Sequence, residues 1–541
     1  MANLESPYVI GSFVQLLNAD NINFESTGRD SHTDLSNKIS RLAKILAQPG
    51  WVQLQFSPLP LSALVQQKSA HIEEGAAAAA AFAAEKCFSR IRVFERREAP
   101  GGTWIYDPDP GPGLNLSPGG IPPLIDPPLE IPDALPRATS PNSQERYDRT
   151  PIYDSLTTNV PDIAMSFSDN RFPYGPFPPH WVPRQYIANY FSLHRTDSFL
   201  VLNTTVEDLS RLSGKEGWKL TLRRRDSVRH VDVWWEEEFD AVVIANGHYS
   251  VPYVPRVDGL DKYIRLFPEK VMHSKSYRNP QAHQGKRVLV IGNSASGHDI
   301  TAALVESAQL PVYQSRRSPS RWDGDKPPSG IEWKPIVSEY LPTGDIVFED
   351  GSVLSDIDAV IYCTGYKASF PFWNVQANGG PLWDYAENRL VGSYWHTFLR
   401  DFPTVGIVGV PRVLTFRSFE YQAIALARIF AGRSALPLPP REAQERWERE
   451  RWKLVSREGR KFHDIPWDNG ETMDWLRGLF DLAGLPLLED RGRCPPVLGD
   501  ETRWAIEHLK KYPEPGNESR DEEEGWTVLG GGAGLDSLHF I

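Results

Sequence analysis

The chain has 541 residues, 40% of them hydrophobic and 24% charged, with a formal net charge of −12. That length suits two or three domains and a sizeable buried site, and an acidic balance without a long basic run excludes the electrostatic footprint of a nucleic-acid binder. Cys87, Cys363 and Cys494 have no metal-ligand spacing and make no disulfide framework, which points to a reducing, cytoplasmic compartment, and no apolar run is long enough for an integral membrane segment.

Residues 1–70 hold one amphipathic stretch, DLSNKISRLAKILA, and otherwise no sustained periodicity. From Ile72 to Trp104 the sequence IEEGAAAAAAFAAEKCFSRIRVFERREAPGGTW reads as a helix, a β-branched strand ending on Glu95, and a glycine turn. An acid closing such a strand is placed to accept the ribose hydroxyls of an adenosine. Counting back from it puts the glycines of a Gly-x-Gly-x-x-Gly loop at Ala70, Ile72 and Gly75, so the third alone is present. No strand is expected before this helix, because LVQQKSAH is too polar and WVQLQF lies too far upstream. A pyrophosphate at the helix start would meet Glu73 and Glu74 in place of bare backbone.

Asp107 to Pro141 is crowded with Pro and Gly and reads as loop. Two buried β runs end in small-residue turns, FDAVVIANGHYS and IDAVIYCTGY, as expected where a chain crosses between two dinucleotide domains. Between them lies GKRVLVIGNSASGHDITAAL. Its strand, Val288 to Ile291, runs into the turn Gly292, Asn293, Ser294, Ala295, Ser296, Gly297 and a helix beginning near Ser296, the context a phosphate loop requires. Backbone N–H groups and the helix dipole there suit a pyrophosphate. Gly292 allows the tight turn, Gly297 allows close helix packing, and Ser294 replaces the middle glycine with a hydroxyl donor. The next strand, PVYQSRRS, ends on Arg316 and Arg317, about 24 residues after Gly292. Arginine there suits the 2′-phosphate of NADP where an acid would suit NAD. Further on, REAQERWERERWKLVSREGRK reads as a helix with a solvated charged face, and the acidic end after Pro513 as a frayed terminus.

Together these pieces resemble the flavin-containing monooxygenases, single-component NADPH and FAD enzymes of the N,N-dimethylaniline monooxygenase type. The resemblance runs from about Gly75 to about Gly432. The family pattern F-x-G-x-x-x-H-x-x-x-Y appears as FPEKVMHSKSY, with Phe267, His273 and Tyr277 in place and Glu269 where its glycine should be. YDSLTTNVPDIAMSFSD, VIYCTGY, FERREAPGGTW and PRVLTFRSFEYQAIALARIFAG also fit. The resemblance implies an α/β fold with two Rossmann-like domains, the NADP domain inserted in the FAD domain. The expected division is an atypical segment 1–70, FAD domain 71–250, NADP domain 251–363, FAD domain 364–435 and a helical extension 436–541.

As FAD contacts the resemblance implies Gly75, Glu95, Arg96, Gly102, Thr103, Trp104, Thr158, Asn159, Val206, Glu420 and Gln422. As NADP contacts it implies the Gly292–Gly297 turn with Arg316, Arg317, His273, Ser274 and Tyr277. Asn159 falls beside the isoalloxazine and is the candidate catalytic hydrogen-bonder, while His273 and Tyr277 are expected to order the inter-domain segment. The implied reaction oxygenates a soft nitrogen or sulfur atom of a small molecule with O2 through a C4a-hydroperoxyflavin, with a homodimer allowed. Tyr277-Arg278 departs from the tryptophan followed by proline or aspartate usual in Baeyer–Villiger monooxygenases, which with N-hydroxylating enzymes form the alternative, beside a silent NADP-binding relative. The damaged front loop leaves two readings: residues 1–74 stand by misannotation in place of the true first strand, or the chain is a variant that has given up flavin.

Overall fold

The computed structural model describes residues 61–66, 72–111, 113–320, 323–411, 413–486 and 491–512. The stretch DLSNKISRLAKILA, Ala70 and the acidic end after Pro513 lie outside the described residues.

The described chain begins with strand β1 (Leu61–Gln66), helix α1 (Ile72–Glu85) and strand β2 (Phe88–Phe94), and the two strands pair in parallel. A strand therefore does precede the alanine-rich helix, and the expectation that it was missing is corrected. The window LVQQKSAH starts halfway along β1 and runs past its end, so only its first three residues belong to the strand, and the rest lie outside the described residues. The six residues LSALVQ are held from both sides, Val65 standing opposite Val93 on one neighbour and Val243 on the other.

The loop expected from Asp107 to Pro141 is mostly irregular, but β3 (Arg137–Thr139) joins an antiparallel sheet with β5 (Thr204–Arg211), β6 (Trp218–Asp226) and β7 (Val231–Phe239) in the order β3-β7-β6-β5. Trp234 Nε1 donates to Thr139 Oγ1 at 2.9 Å, which anchors the Pro-rich segment to that sheet. With β4 (Leu200–Val201), β8 (Ala241–Ile244) and a late group, β14 (Ser393–Tyr394), β15 (Phe398–Leu399) and β16 (Val405–Ile407), β1 and β2 build a seven-stranded sheet ordered β14-β15-β16-β8-β1-β2-β4. Its five strands from β16 to β4 are parallel.

A second sheet, wholly parallel, is ordered β9 (Val271–His273), β13 (Ala359–Tyr362), β10 (Arg287–Ile291), β11 (Gln309–Ser315), β12 (Ile331–Lys334). Helix α2 (Ala295–Leu304) follows β10 directly. Val288, Leu289, Val290, Val360 and Ile361 are fully buried, as a sheet covered on both faces demands.

Helix α1 is buried all round, Ala76 through Phe82 exposing no more than 1% of their surface. A run of alanines has no bulk to hold a neighbour away, and α3 (Phe416–Phe430) lies against it, itself buried along almost its whole length. Glu85 at the end of α1 receives Arg428 of α3 at 2.6 Å, both side chains 1–2% exposed, with Arg433 on the other carboxylate oxygen. Three further helices close this side: α4 (Arg441–Glu458), α5 (Glu471–Ala483) and α6 (Asp500–His508). The charged face of α4 is less solvated than its sequence suggests. Arg451 is buried and donates to Glu471 at 2.5 Å, and Glu448 joins Arg389 and Arg400. Among the described residues, no helix is long and apolar enough to cross a membrane, and no His, Cys, Asp or Glu group is placed to hold a metal ion.

Candidate functional site: two strand-edge crevices

In each of these two sheets the chain leaves a central parallel strand, enters a helix, and returns to opposite sides for its neighbours. β1 has β2 on one side and β8 on the other, and β10 has β11 and β13. A crevice past the carboxyl ends of such strands is where open α/β sheets receive ligands.

In the rear crevice the strand ends are level, Ile291 standing opposite both Ser315 and Tyr362. Gly292 turns out of β10 at φ +113°, and a Cβ on it would lie 2.7 Å from Cys363 O. A Cβ on Gly297 would lie 2.2 Å from Gly292 O. Both positions therefore demand glycine, as the sequence indicated. The turn is open: Ser294 is exposed, and Asn293, Ala295 and Ser296 are half-buried, with unused helix N–H groups along the first turn of α2.

Arg316 and Arg317 diverge. Arg317 is exposed. Arg316 lies flat over the Trp333 ring at 3.3 Å and pairs with Asp323 at 2.9 Å. The Asp323 carboxylate, 4% exposed, also accepts from Asn293 Nδ2 and from the Ser320 N–H, each at 2.8 Å. Burial works to raise its pKa, and the hydrogen bonds from Ser320, Asn293 and Arg316 outweigh it, so the carboxyl sits below its ordinary range. Sequence reasoning missed Asp323, because a turn in a Pro/Gly-rich loop carries no periodicity to point to it.

The other predicted rear residues lie on the wall between the sheets. His273 is fully buried, its Nδ1 accepting from the Lys275 N–H at 3.1 Å and its Nε2 donating to Gly365 O at 3.0 Å. Burial holds its pKa down to about 3, so at neutral pH it is an uncharged strut. Ser274 is buried beside Cys363 and Tyr366. Tyr277 stacks on His283 and meets Tyr153 edge-on, with its hydroxyl buried and unpartnered. Lys275 runs to the carbonyls of Tyr147 and Arg149, and burial lowers its pKa to about 7. A cluster not read from sequence sits on the middle of α2: Asp299 accepts from Tyr153 Oη and Tyr512 Oη at 2.5 Å and from Lys511 at 2.9 Å, and Lys511 also reaches Thr157 O at 3.3 Å. The segment after α6 is thus tied between the second helix and the Tyr153–Asn159 stretch.

The forward crevice has the same frame. Gln66 stands opposite Phe94 and Ile244, and Ile407 opposite Ile244, so Glu95, Gly247 and Gly409 emerge at one edge beside the start of α1. Its contents differ. Glu73 and Glu74 are 1% and 0% exposed. Trp104 Nε1 donates to Glu73 Oε1 at 3.4 Å, and the Gly247 N–H donates to Glu74 Oε2 at 3.3 Å. A Cβ on Gly409 would lie 1.7 Å from Glu74 Oε1, an oxygen without a hydrogen-bond partner. Burial, reinforced by Glu73, pushes the Glu74 carboxyl well above its ordinary pKa. Glu95 is fully buried, its Oε1 accepting from the Arg97 N–H at 2.7 Å and its Oε2 unpartnered, and burial raises its pKa to about 7.

Of the other forward candidates, Gly75 is buried inside α1, Gly102 turns at φ +49°, Thr103 is buried beside it, and Asn159 is exposed. Arg96 points away, to the carbonyls of Arg146 and Tyr147. The Thr158 N–H is used on Pro178 O at 2.9 Å, and Val206 belongs to the core between the sheets. Glu420 is saturated within the protein by Ser168 N and Oγ at 2.8 and 2.7 Å and by Arg493 at 2.6 Å. Gln422 bridges Gly409 N, Thr397 Oγ1 and Val410 O, shaping the turn at the end of β16.

For a bound dinucleotide, the rear residues fit: glycines where a Cβ is excluded, an open helix start and a cationic strand end. The forward residues fit the ribose end, where Glu95 Oε2 lacks a donor, and do not fit a pyrophosphate while Glu73 and Glu74 fill the helix start.

The two sheets, each with a crevice past its strand ends, define an α/β protein. The flavin-binding monooxygenase-like family model matches residues 140–322 and 329–476, and the chain belongs to that family. The flavin-containing monooxygenase FMO GS-OX-like 9 of Arabidopsis thaliana is 30% identical over 420 residues, 74% of this chain and 82% of that protein. The flavin-containing monooxygenase iboF of Amanita muscaria is 28% identical over 437 residues, 69% and 80% of the two chains. Among solved structures, S-allyl-L-cysteine S-oxygenase from Allium sativum shares the fold with a TM-score of 0.65 and 24% identity, covering 86% of this chain and 94% of its own.

Proposed function

We propose that the chain is an NADPH-dependent flavin monooxygenase that places one oxygen atom of O2 on a soft nitrogen or sulfur atom of a small molecule. The observation that carries this reading is the rear crevice, where Gly292 and Gly297 admit no Cβ and Arg316 closes the neighbouring strand, in a chain of this family. NADP(H) would lie with its pyrophosphate on the first turn of α2. A nested arrangement is supported by where the second sheet falls, between Val271 and Tyr362, and by the antiparallel pair Val251–Pro252 with Tyr366–Lys367 at its entry and exit. On this reading residues 251–363 are the NADP domain and the first sheet is the FAD domain, beginning at β1 instead of at residue 71.

The flavin, when bound, supplies reduction and oxygen activation. The chain's own contribution is orientation. Glu95 accepts from a ribose hydroxyl, Asn159 offers an exposed carboxamide on the flavin side, and the Asp299–Lys511–Tyr512 contact holds the C-terminal segment against the Tyr153–Asn159 stretch, limiting water. His273, neutral and fully bonded, positions the wall between sheets and moves no proton. Tyr277-Arg278 favours heteroatom substrates over ketones.

A second reading, an NADP-binding relative without flavin, is favoured by Glu74 lying against Gly409 in the forward crevice. The visible spectrum of the purified chain separates the two. Flavin bands that follow FAD addition, with NADPH consumed when a thioether or amine is present, support the monooxygenase; a colourless chain that binds NADP+ and takes up no FAD supports the relative. A ketone given beside the thioether and a primary amine tests the Baeyer–Villiger and N-hydroxylating alternatives.

A further inference from the structure

The anion position at the rim of the rear crevice is already filled by the protein. Asp323 receives a guanidinium from the end of β11, a carboxamide from the residue after Gly292, and a backbone N–H from Ser320. Guanidinium, amide and main-chain N–H converging on one oxygen-bearing group is the donor set that proteins use for phosphate oxygens. Asn293 sits in the glycine turn and Arg316 closes the adjacent strand, and these two positions flank the adenosine ribose in a parallel dinucleotide site. Asn293 Nδ2 is also fixed to Ser318 O at 2.9 Å, and Arg316 is fixed by Trp333 beneath it. Both side-chain donors are therefore held by contacts other than those to the carboxylate.

We propose that Asp323 is an internal stand-in for the cofactor's 2′-phosphate and sets nucleotide selectivity: a 2′-phosphate enters only as the Asp323 carboxylate leaves Arg316 and Asn293, whereas a 2′-hydroxyl can donate to that carboxylate where it stands. Charge decides the asymmetry. With Asp323 in place Arg316 is already neutralised, and a phosphate of nearly two negative charges beside it meets net repulsion. Exposed Arg317 offsets part of this through solvent. The chain consequently binds NADP+ more weakly than its arginine pair suggests and accepts NAD+ better than that pair predicts.

This rests on the rear crevice being the nicotinamide-nucleotide site, and the experiment keeps the two claims apart. NADP+, NAD+ and 2′,5′-ADP are titrated calorimetrically, without turnover, into the full-length chain and its Asp323→Asn and Asp323→Ala variants. Asparagine keeps the volume of the side chain and removes its charge, and thermal unfolding checks that both variants remain folded. The expected result is at least tenfold tighter NADP+ and 2′,5′-ADP in both variants, with NAD+ unchanged or severalfold weaker. Variants that bind NADP+ with the wild-type NADP+/NAD+ ratio overturn the selectivity role and leave the crevice assignment standing. A wild-type chain and folded variants that bind none of the three ligands overturn both.

Discussion

The two crevices are built alike and filled differently. Each has a central parallel strand, a helix leaving its end and neighbours on both sides. In the rear one Ser294 is exposed and Gly297 packs directly on Gly292, while in the forward one Glu73 and Glu74 are sealed beneath Trp104, Gly247 and Gly409. On the proposed reading, strands and helix packing set the frame of each nucleotide site, whereas three or four residues at the helix start set whether it takes a pyrophosphate. Helix α1 keeps its alanine face and its buried Glu85–Arg428 pair although its first turn carries acids.

The sharpest break in the comparison is expected at Gly297. Gly297→Ala puts a methyl 2.2 Å from Gly292 O, and α2 must lift away from the turn. NADP+ affinity should fall by about 100-fold or more, roughly 3 kcal/mol, measured by calorimetry. An unchanged affinity would show that the nucleotide lies elsewhere.

The forward crevice is the place for the opposite change, one that opens a helix start. Replacing Glu73 by Ser and Glu74 by Gly together removes two carboxyl groups from the helix start, one of them the group whose oxygen lies against Gly409. Each charge facing a pyrophosphate at a few ångströms costs on the order of several kcal/mol at an intermediate dielectric, partly relieved by protonation of Glu74. FAD affinity should rise by about 10- to 100-fold, read from flavin fluorescence quenching. A double variant that takes up FAD no better than the parent would absolve the two acids.

Much of this was legible in the sequence at the rear and little at the front, for a physical reason. Strand, turn and helix from Val288 to Leu304 are contiguous, and each part carries its own local signal: a buried apolar run, two obligatory glycines, a helix start. β1 has no such signal, since LSALVQ earns its place by pairing with β2 and β8, which lie on either side of it in space and far apart in sequence. The depth at which Glu73 and Glu74 are buried, the turn that brings Asp323 onto Arg316, and the tie from Lys511 and Tyr512 to Asp299 are likewise products of tertiary folding. Glu420 and Gln422, read as cofactor contacts, have their hydrogen-bonding capacity taken up by Ser168, Arg493, Gly409, Thr397 and Val410.

A smaller effect, with a sign fixed by pH, belongs to Glu95. Its pKa is raised from 4.5 to about 7 in the folded chain, chiefly by burial, so the protonated form is favoured there. Stability from this group is fully present below the unfolded pKa and is lost as pH rises through about 7. Glu95→Gln, which is never charged, should therefore raise the stability of the nucleotide-free chain at pH 8 by roughly 1–3 kcal/mol and leave it little changed near pH 4.5. Thermal unfolding at the two pH values measures the difference. A stabilisation equal at both would mean that the carboxyl is ionised without penalty and that Glu95 is less enclosed than its unpartnered oxygen indicates.

The smallest expected effect sharpens the rear side of the comparison. Arg317 is exposed and faces solvent, so its attraction for a 2′-phosphate is screened, with a Debye length of about 8 Å at physiological salt. Arg317→Ala should weaken NADP+ by less than about threefold at that ionic strength and by more in dilute buffer. Arg316, stacked on Trp333 and hydrogen-bonded, should show the reverse pattern when changed to Ala, a larger loss with little dependence on salt. If the two arginines proved equivalent in size and salt response, the 2′-phosphate would be read by the net charge of the strand end, and the fixed geometry around Arg316 would have no part in selection.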